Sequence, residues 1–209
     1  MQPFTVVEGV AAPFLEDDVN TDQIAPIGVG ARMDPDYAEM AFGRRRKKPD
    51  GSIEPDFFLN KPQFSKPTIL VAGANYGCGS SREGAVWCMQ AIGVRAIIAR
   101  SFADIYRENC LQNGVLPAVL AAGDAEKFEA LVVKTDGAGN FKIDLAAGTI
   151  TGPGGETFRF DLPPAERTRL LEGLDDIGLS LKHDAEIAAF EARRKQSHPW
   201  SQRADANAL

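Results

Sequence analysis

Histidine is nearly missing from this chain: two occur in 209 residues, His183 and His198, both close to the C-terminus. That scarcity argues against a Ser-His-Asp triad or a self-contained metal site in the main body. Cysteine is also sparse. Cys78, Cys88 and Cys110 are an odd count, at spacings that match neither a CxxC zinc site nor a run of iron–sulfur ligands. Such usage fits a reducing compartment rather than a disulfide framework. A basic excess is lacking too. The net charge of −6 argues against a nucleic-acid surface and suits a soluble cytoplasmic protein. No stretch approaches the roughly 20 apolar residues of a membrane span. The start, MQPFTVVEGVAAPFLEDDVNTD, has neither a basic n-region nor a long apolar h-region, so no signal peptide is expected.

What is present is ordinary for a globular protein: 44% hydrophobic and 25% charged residues, in a length that suits one well-buried domain with an appendage. The main domain is expected over 1–165, a helical extension over 166–196 and a flexible tail over 197–209. FTVVEGV (4–10) reads as a strand. DDVNTDQIAP is polar and turn-prone, with side chains that bond their own backbone. A short helix is predicted over Tyr37–Phe42, ending at Gly43. The basic run Arg44–Lys48 has two readings, a solvated loop or part of a segment (Gly28–Lys48) close to a substrate or an interface.

The centre carries a clearer rhythm. TILVAGA (68–74) and RAIIA (95–99) are short apolar runs of the buried-strand type, and VLPAVL (115–120) is a third. Helices are predicted between them. The first runs from Glu83 to Ile92 before Gly93. The second opens at Ser101 as N-cap, with Asp104 as its capping partner and Gly114 as C-cap. Strand–helix–strand–helix–strand implies a parallel sheet with crossover helices, an α/β fold. A further helix is expected in DAEKFEALVVK. FKIDLAAGTITGPGGETFRFDL reads as antiparallel strands, and the segments after Pro164 read as helices.

The chemistry concentrates in VAGANYGCGSSREGAVW (71–87). A buried strand runs into a glycine loop and then into a helix start, where backbone N–H groups and the helix dipole favour an anion. Gly77 and Gly79 permit unusual backbone angles and close approach. Arg82 is able to hold a carboxylate by two parallel hydrogen bonds. The loop lacks the G-K-[ST] of a P-loop, the third glycine of a dinucleotide fingerprint and the G-x-S-x-G of a hydrolase elbow. Two readings of the serines stand side by side: helix caps, or site residues.

Taken whole, NYGCGSSRE and RAIIARSFADIYRENCLQNGVLP resemble the small subunits of 3-isopropylmalate dehydratase, within the aconitase superfamily. DDVNTDQIAP and LEGLDDIGLSLKHDAEIAAFEARR resemble the same family, so the likeness spans roughly residues 1–200 in order. It implies a swivelling β/β/α domain, like domain 4 of aconitase, that docks on a separate large subunit. It implies no cofactor on this chain, because a 4Fe–4S cluster is expected on three cysteines of that partner. The three cysteines here then read as packing residues. The implied reaction moves a hydroxyl between neighbouring carbons by dehydration and rehydration, taking 2-isopropylmalate to 3-isopropylmalate in leucine biosynthesis. In it the cluster acts as Lewis acid and a serine as base. By motif match Ser80 is the implied base, Ser81 and Arg82 hold substrate beside Gly79, and Thr21 and Asp22 contact substrate or support proton transfer. Trp87, Phe102 and Tyr106 are expected in the core or an interface, and the two histidines outside the catalysis.

The chain departs from the family pattern in three places, one of them Val86-Trp87-Cys88, where PWA is common. Gly84 stands where the family usually has histidine, and Asn20 replaces the first aspartate of D-T-D. These departures keep open a relative acting on another 2-hydroxy diacid, of the methyl- or dimethylmalate, citramalate or homoaconitate type. A non-catalytic anion- or RNA-binding module is the reading from another class, against which the acidic balance speaks.

Overall fold

The computed structural model describes residues 1–26, 35–80 and 82–201. They divide into a unit ending at Gly173 and a second beginning at Leu174.

The first unit is built on a parallel sheet of β2 (Ala11–Phe14), β3 (Ile69–Ala72), β4 (Ala96–Ala99) and β5 (Leu116–Ala118), in that spatial order. Every residue of ILVA in β3 and AIIA in β4 is buried. A strand covered on both faces reads as a continuous apolar run, which is what the sequence displays. Alternation then divides the core. Leu70, Ala72 and Ile97 pack with Val86 and Met89 of α4 (Gly84–Ala91). Ile69, Val71 and Ile98 pack on the opposite face with Phe128 of α6 (Ala122–Thr135). A second, antiparallel sheet, β1 (Val6–Gly9), β6 (Phe141–Asp144), β7 (Thr149–Thr151) and β8 (Thr157–Arg159), closes that lower core with Phe141, Ile143 and Ile150. α5 (Asp104–Asn113) links β4 to β5. It is bound to α7 (Pro164–Glu172) by Arg107–Glu166 and Arg169–Glu108 pairs.

Several expectations are corrected. The strand expected over 4–10 is β1, shortened to Val6–Gly9, and an unexpected second strand follows it in the other sheet, with the chain changing sheet at Val10: β1 pairs with β6, and β2 with β3. β2 contains Pro13, which is tolerated because β2 is the edge of its sheet. Polar DDVNTDQIAP holds a one-turn helix, α1 (Thr21–Ile24). There Asn20 and Gln23 form reciprocal cap bonds, Gln23 N to Asn20 Oδ1 at 2.9 Å and Asn20 N to Gln23 Oε1 at 2.8 Å. The helix at 37–42 is shorter, α2 (Tyr37–Met40), because the Phe42 amide turns to the Ile24 carbonyl at 2.8 Å. The basic run is a solvated loop only in part, with Arg44, Lys47 and Lys48 exposed. Three of its residues lie in α3 (Gly43–Arg46), where Arg45 grips Glu16 bidentately at 2.8 and 2.6 Å over the rings of Phe14 and Phe57. Of the segment 28–48, residues 28–34 lie outside the described residues. Ser101 does not cap α5: the N-cap is Ala103, and the serine hydroxyl is used elsewhere. Gly114 is the left-handed C-cap, φ 76°, as expected.

The second unit holds α8 (Asp176–Leu181), capped by Asp175, and α9 (Asp184–Ser197). Neither helix buries a residue, and His183 and His198 are exposed here. Among the described residues no helix is long and apolar enough to cross a membrane.

Candidate active site

Ligand sites of α/β sheets lie beyond the carboxyl ends of the strands. In this chain the loops leaving β2 and β3 do not diverge there. They run on side by side, joined by Asp18 N to Ala74 O (2.9 Å), Gly77 N to Val19 O (2.8 Å) and Thr21 N to Cys78 O (2.9 Å). Tyr76 N to Ser101 O (3.0 Å) and Ala103 N to Tyr76 O (3.0 Å) tie the β3 loop to the loop after β4. The strand order is sequential, so no switch-point crevice opens within this sheet. Among the described residues the loops form an open shelf, with Asn75, Gly79 and Ser80 exposed on it.

Two glycines let the shelf form. Gly77 has φ +80°, and a Cβ there would fall on the ring of Tyr106, which is fully buried. Gly79 has φ +86°, and its missing Cβ would lie 3.3 Å from Asn20 Cβ and 4.0 Å from Thr21 Oγ1. The two loops therefore touch at Gly79 and Thr21.

The structure brings most of the sequence-predicted residues to this shelf. Gly79 and Ser80 are exposed. Ser81 lies outside the described residues. Asp22 is exposed, and its carboxylate pairs with the half-buried Arg82 guanidinium across the two loops. Thr21 is completely buried, and its Oγ1 has no hydrogen-bond partner among the described residues; the same holds for Arg82 Nε.

The helix that follows differs from its sequence reading. α4 starts at Gly84, and no side chain among the described residues, Ser80 included, caps it. Glu83, at the N-cap position, instead accepts from Asn113 Nδ2 at 2.8 Å. The Ala85 and Val86 amides bond Arg82 O (3.0 Å) and Glu83 O (2.8 Å). The first-turn donors are thus largely used within the chain, so the capacity to hold an anion rests chiefly on Arg82.

Contacts that sequence reading missed lie beneath the shelf. Asp17 Oδ1 accepts from Ala74 N at 2.6 Å, Asp18 Oδ1 from Asn75 Nδ2 at 2.8 Å, and Ser101 Oγ from Asn75 N at 2.8 Å. Only the turn-forming character of Asp and Asn hinted at them. Tyr106 is a core ring, edge-on to Tyr76 at 5.5 Å. Trp87 is partly exposed, donating to Asn113 Oδ1 at 3.0 Å and meeting Tyr37 edge-on at 5.3 Å.

The cysteines do not form a ligand set for an iron–sulfur cluster. Cys88 and Cys110 are buried in the core, and burial pushes their thiols up, to about 12 for Cys88. Cys78 Sγ donates to Asp18 O at 3.3 Å. No group of His, Cys, Asp and Glu among the described residues is arranged to hold a metal ion.

Residues 1–123, which include the parallel sheet and the glycine loop, match the aconitase C-terminal domain. Residues 176–204 match the C-terminal domain of 3-isopropylmalate dehydratase small subunits. The chain is 43% identical to the 3-isopropylmalate dehydratase small subunit of Azorhizobium caulinodans, over 96% of this chain and 100% of that one. Identity to the same subunit of Paramagnetospirillum magneticum is also 43%, with the same coverage. Among solved structures, 3-isopropylmalate dehydratase of Methanocaldococcus jannaschii superposes with a TM-score of 0.60 at 28% identity, over 89% of this chain and 99% of that one. The chain belongs to the 3-isopropylmalate dehydratase small-subunit family of the aconitase superfamily.

Proposed function

We propose that this chain is the small subunit of a two-subunit hydro-lyase that interconverts 2-isopropylmalate and 3-isopropylmalate by dehydration and rehydration, a step of leucine biosynthesis in the cytoplasm. Its partner is the large subunit, which carries the 4Fe–4S cluster; the three cysteines of this chain, two of them buried in the core, do not suit that group. The observation that carries the reading is the exposed Ser80, two residues before the arginine of the Asp22–Arg82 pair.

Ser80 is the base that removes the proton from the carbon next to the departing hydroxyl. A free serine hydroxyl is far too weak an acid for this at neutral pH. A helix terminus supplies at most roughly 2 kcal/mol, or about 1.5 pKa units. The Arg82 charge must supply more, and its influence depends on water. At 4 Å a unit charge is worth about 1 kcal/mol in bulk water and about 4 kcal/mol in a partly covered site. Docking of the large subunit over the shelf supplies that cover. Arg82 and Ser81 hold a carboxylate of the 2-hydroxy diacid and Gly79 lets it approach the backbone, while Thr21, buried and out of a substrate's reach, supports the loop that carries Asp22. Asp22 keeps the guanidinium in place until substrate arrives.

One observation favours a related substrate. A Cβ at Gly84 would meet, among the described residues outside its own turn, Trp87 Cε3 at 4.0 Å, so there is room at the position where the family has an imidazole. A malate with a different substituent, such as citramalate or dimethylmalate, fits that departure.

Anaerobic reconstitution with a candidate large subunit tests the proposal. Isopropylmalate, citramalate, dimethylmalate and homoaconitate are assayed side by side. Turnover is expected only in the complex, and Ser80→Ala should lose nearly all of it. Turnover by the chain alone, or a fully active Ser80→Ala complex, would refute the assignment.

A further inference from the structure

Asp18 and Asn75 are both in the left-handed region, at φ 54° and 55°. That region is costly for residues with a Cβ and least so for Asn and Asp. The two lie on different loops and bond to one another, Asn75 Nδ2 donating to Asp18 Oδ1 at 2.8 Å. Neither is buried. Two strained residues that meet on an exposed edge mark a place where local geometry is being held.

The surrounding bonds point the same way. Asp18 N reaches Ala74 O at 2.9 Å, Asp17 Oδ1 receives Ala74 N at 2.6 Å, and Asn75 N donates to Ser101 Oγ at 2.8 Å. Asn75 thus joins the loops that follow β2, β3 and β4. Gly73, at the mouth of the β3 loop, has no room for a Cβ against Asp17 Oδ1 and Glu16 O. From this point the two loops run paired through Gly77–Val19 and Thr21–Cys78 and are joined again by the Asp22–Arg82 pair, with Ser80 two residues before that arginine.

We propose that Asp18 and Asn75 are positioning residues: their side-chain bond sets the Thr21–Asp22 loop in register with the Ser80–Arg82 loop. The inference rests on the reaction assigned above for its kinetic consequence, and on the geometry alone for its effect on the loops. Backbone pairing holds the loops together without the clasp. The clasp fixes their relative rotation, and a displacement of about 1 Å in a reacting group costs on the order of 100-fold in rate.

Swapping the partners provides the test. Asn75→Asp sets two carboxylates against each other. Asp18→Asn keeps an acceptor. The double variant D18N/N75D restores the bond with donor and acceptor exchanged. In the reconstituted complex, Asn75→Asp should lower kcat by about 10- to 100-fold while KM changes less than about threefold. Asp18→Asn should stay within about threefold of wild type, and the double variant within about fivefold. In the full chain by itself, amide exchange over residues 74–83 should quicken in Asn75→Asp and return toward wild type in the double variant. An Asn75→Asp complex with unchanged kcat, or a double variant no better than Asn75→Asp in both measurements, would overturn the proposal. Should the wild-type complex turn over none of the acids, the reaction assignment fails and the exchange measurement decides the clasp independently.

Discussion

Arg82 and Asp22, sixty positions apart in sequence, form an ion pair between the loops that leave β3 and β2. The pair ties the guanidinium, two residues after the exposed Ser80, to the loop that leaves β2. Lysine at position 82 would keep the charge and lose the planar fork. We expect Arg82→Lys to cut turnover of the reconstituted complex by about 50-fold or more, with binding to the large subunit unchanged in a pull-down or titration. Equal losses of assembly and turnover would make the arginine a structural residue instead.

Two glycines in one short stretch should respond in opposite directions. Gly77 has φ +80° and lies against the Tyr106 ring. Gly77→Ala should cost more than about 3 kcal/mol or prevent folding. Gly84 has no left-handed angle, and its missing Cβ would have only Trp87 Cε3 within 4.0 Å. It also sits in the first turn of α4. Gly84→Ala should therefore leave stability unchanged or raise it by about 0.5–1 kcal/mol. Urea unfolding of both variants checks the pair, and a tolerated Gly77→Ala would contradict the packing described.

How far the sequence could be read follows from which interactions are local. β3 and β4 were legible because both faces are buried, leaving the unbroken runs ILVA and AIIA. α4 and α5 were legible from Gly93 and Gly114, which end them. β2 was not, because AAPF is short, holds a proline and is defined by its neighbour β3 rather than by its own pattern. The Asn20–Gln23 capping box lay within a segment whose polarity read as a turn. Ser101 looked like an N-cap, yet a distant amide, that of Asn75, takes its hydroxyl. The candidate site divides in the same way. The glycine loop with Ser80 and Arg82 is contiguous and could be read directly. Thr21 and Asp22 came only from family likeness, since nothing local reveals which strand end they will meet.

The three thiols should separate by reactivity. Cys88 and Cys110 are fully buried in the core, whereas Cys78 is only half-buried on the shelf. A thiol reagent at pH 8 should modify one cysteine in the native chain and three after denaturation. Peptide mapping should place the early adduct on Cys78. Rapid native modification of Cys88 or Cys110 would show that the packing around α4 and α5 opens more readily than their burial implies.

The same burial sets an alkaline limit on stability. Removal from water pushes Cys88 up to about 12 and raises Cys110, Tyr76 and Tyr106 above their ordinary values. In the unfolded chain cysteine ionises near 8.5 and tyrosine near 10. Between those values and the folded ones, the unfolded chain binds fewer protons than the folded chain, so stability must fall as pH rises. The contribution is intact below about pH 8.5. Above that each group removes about 1.4 kcal/mol per pH unit once its unfolded form is ionised. Urea midpoints measured from pH 8 to pH 11 should therefore decline with increasing steepness. Cys88→Ala should start from lower stability because of the cavity, but with a shallower decline, one titrating group having gone. A midpoint that stays level to pH 11 would mean that these four side chains are not held in the dry core formed by α4, α5 and the parallel sheet.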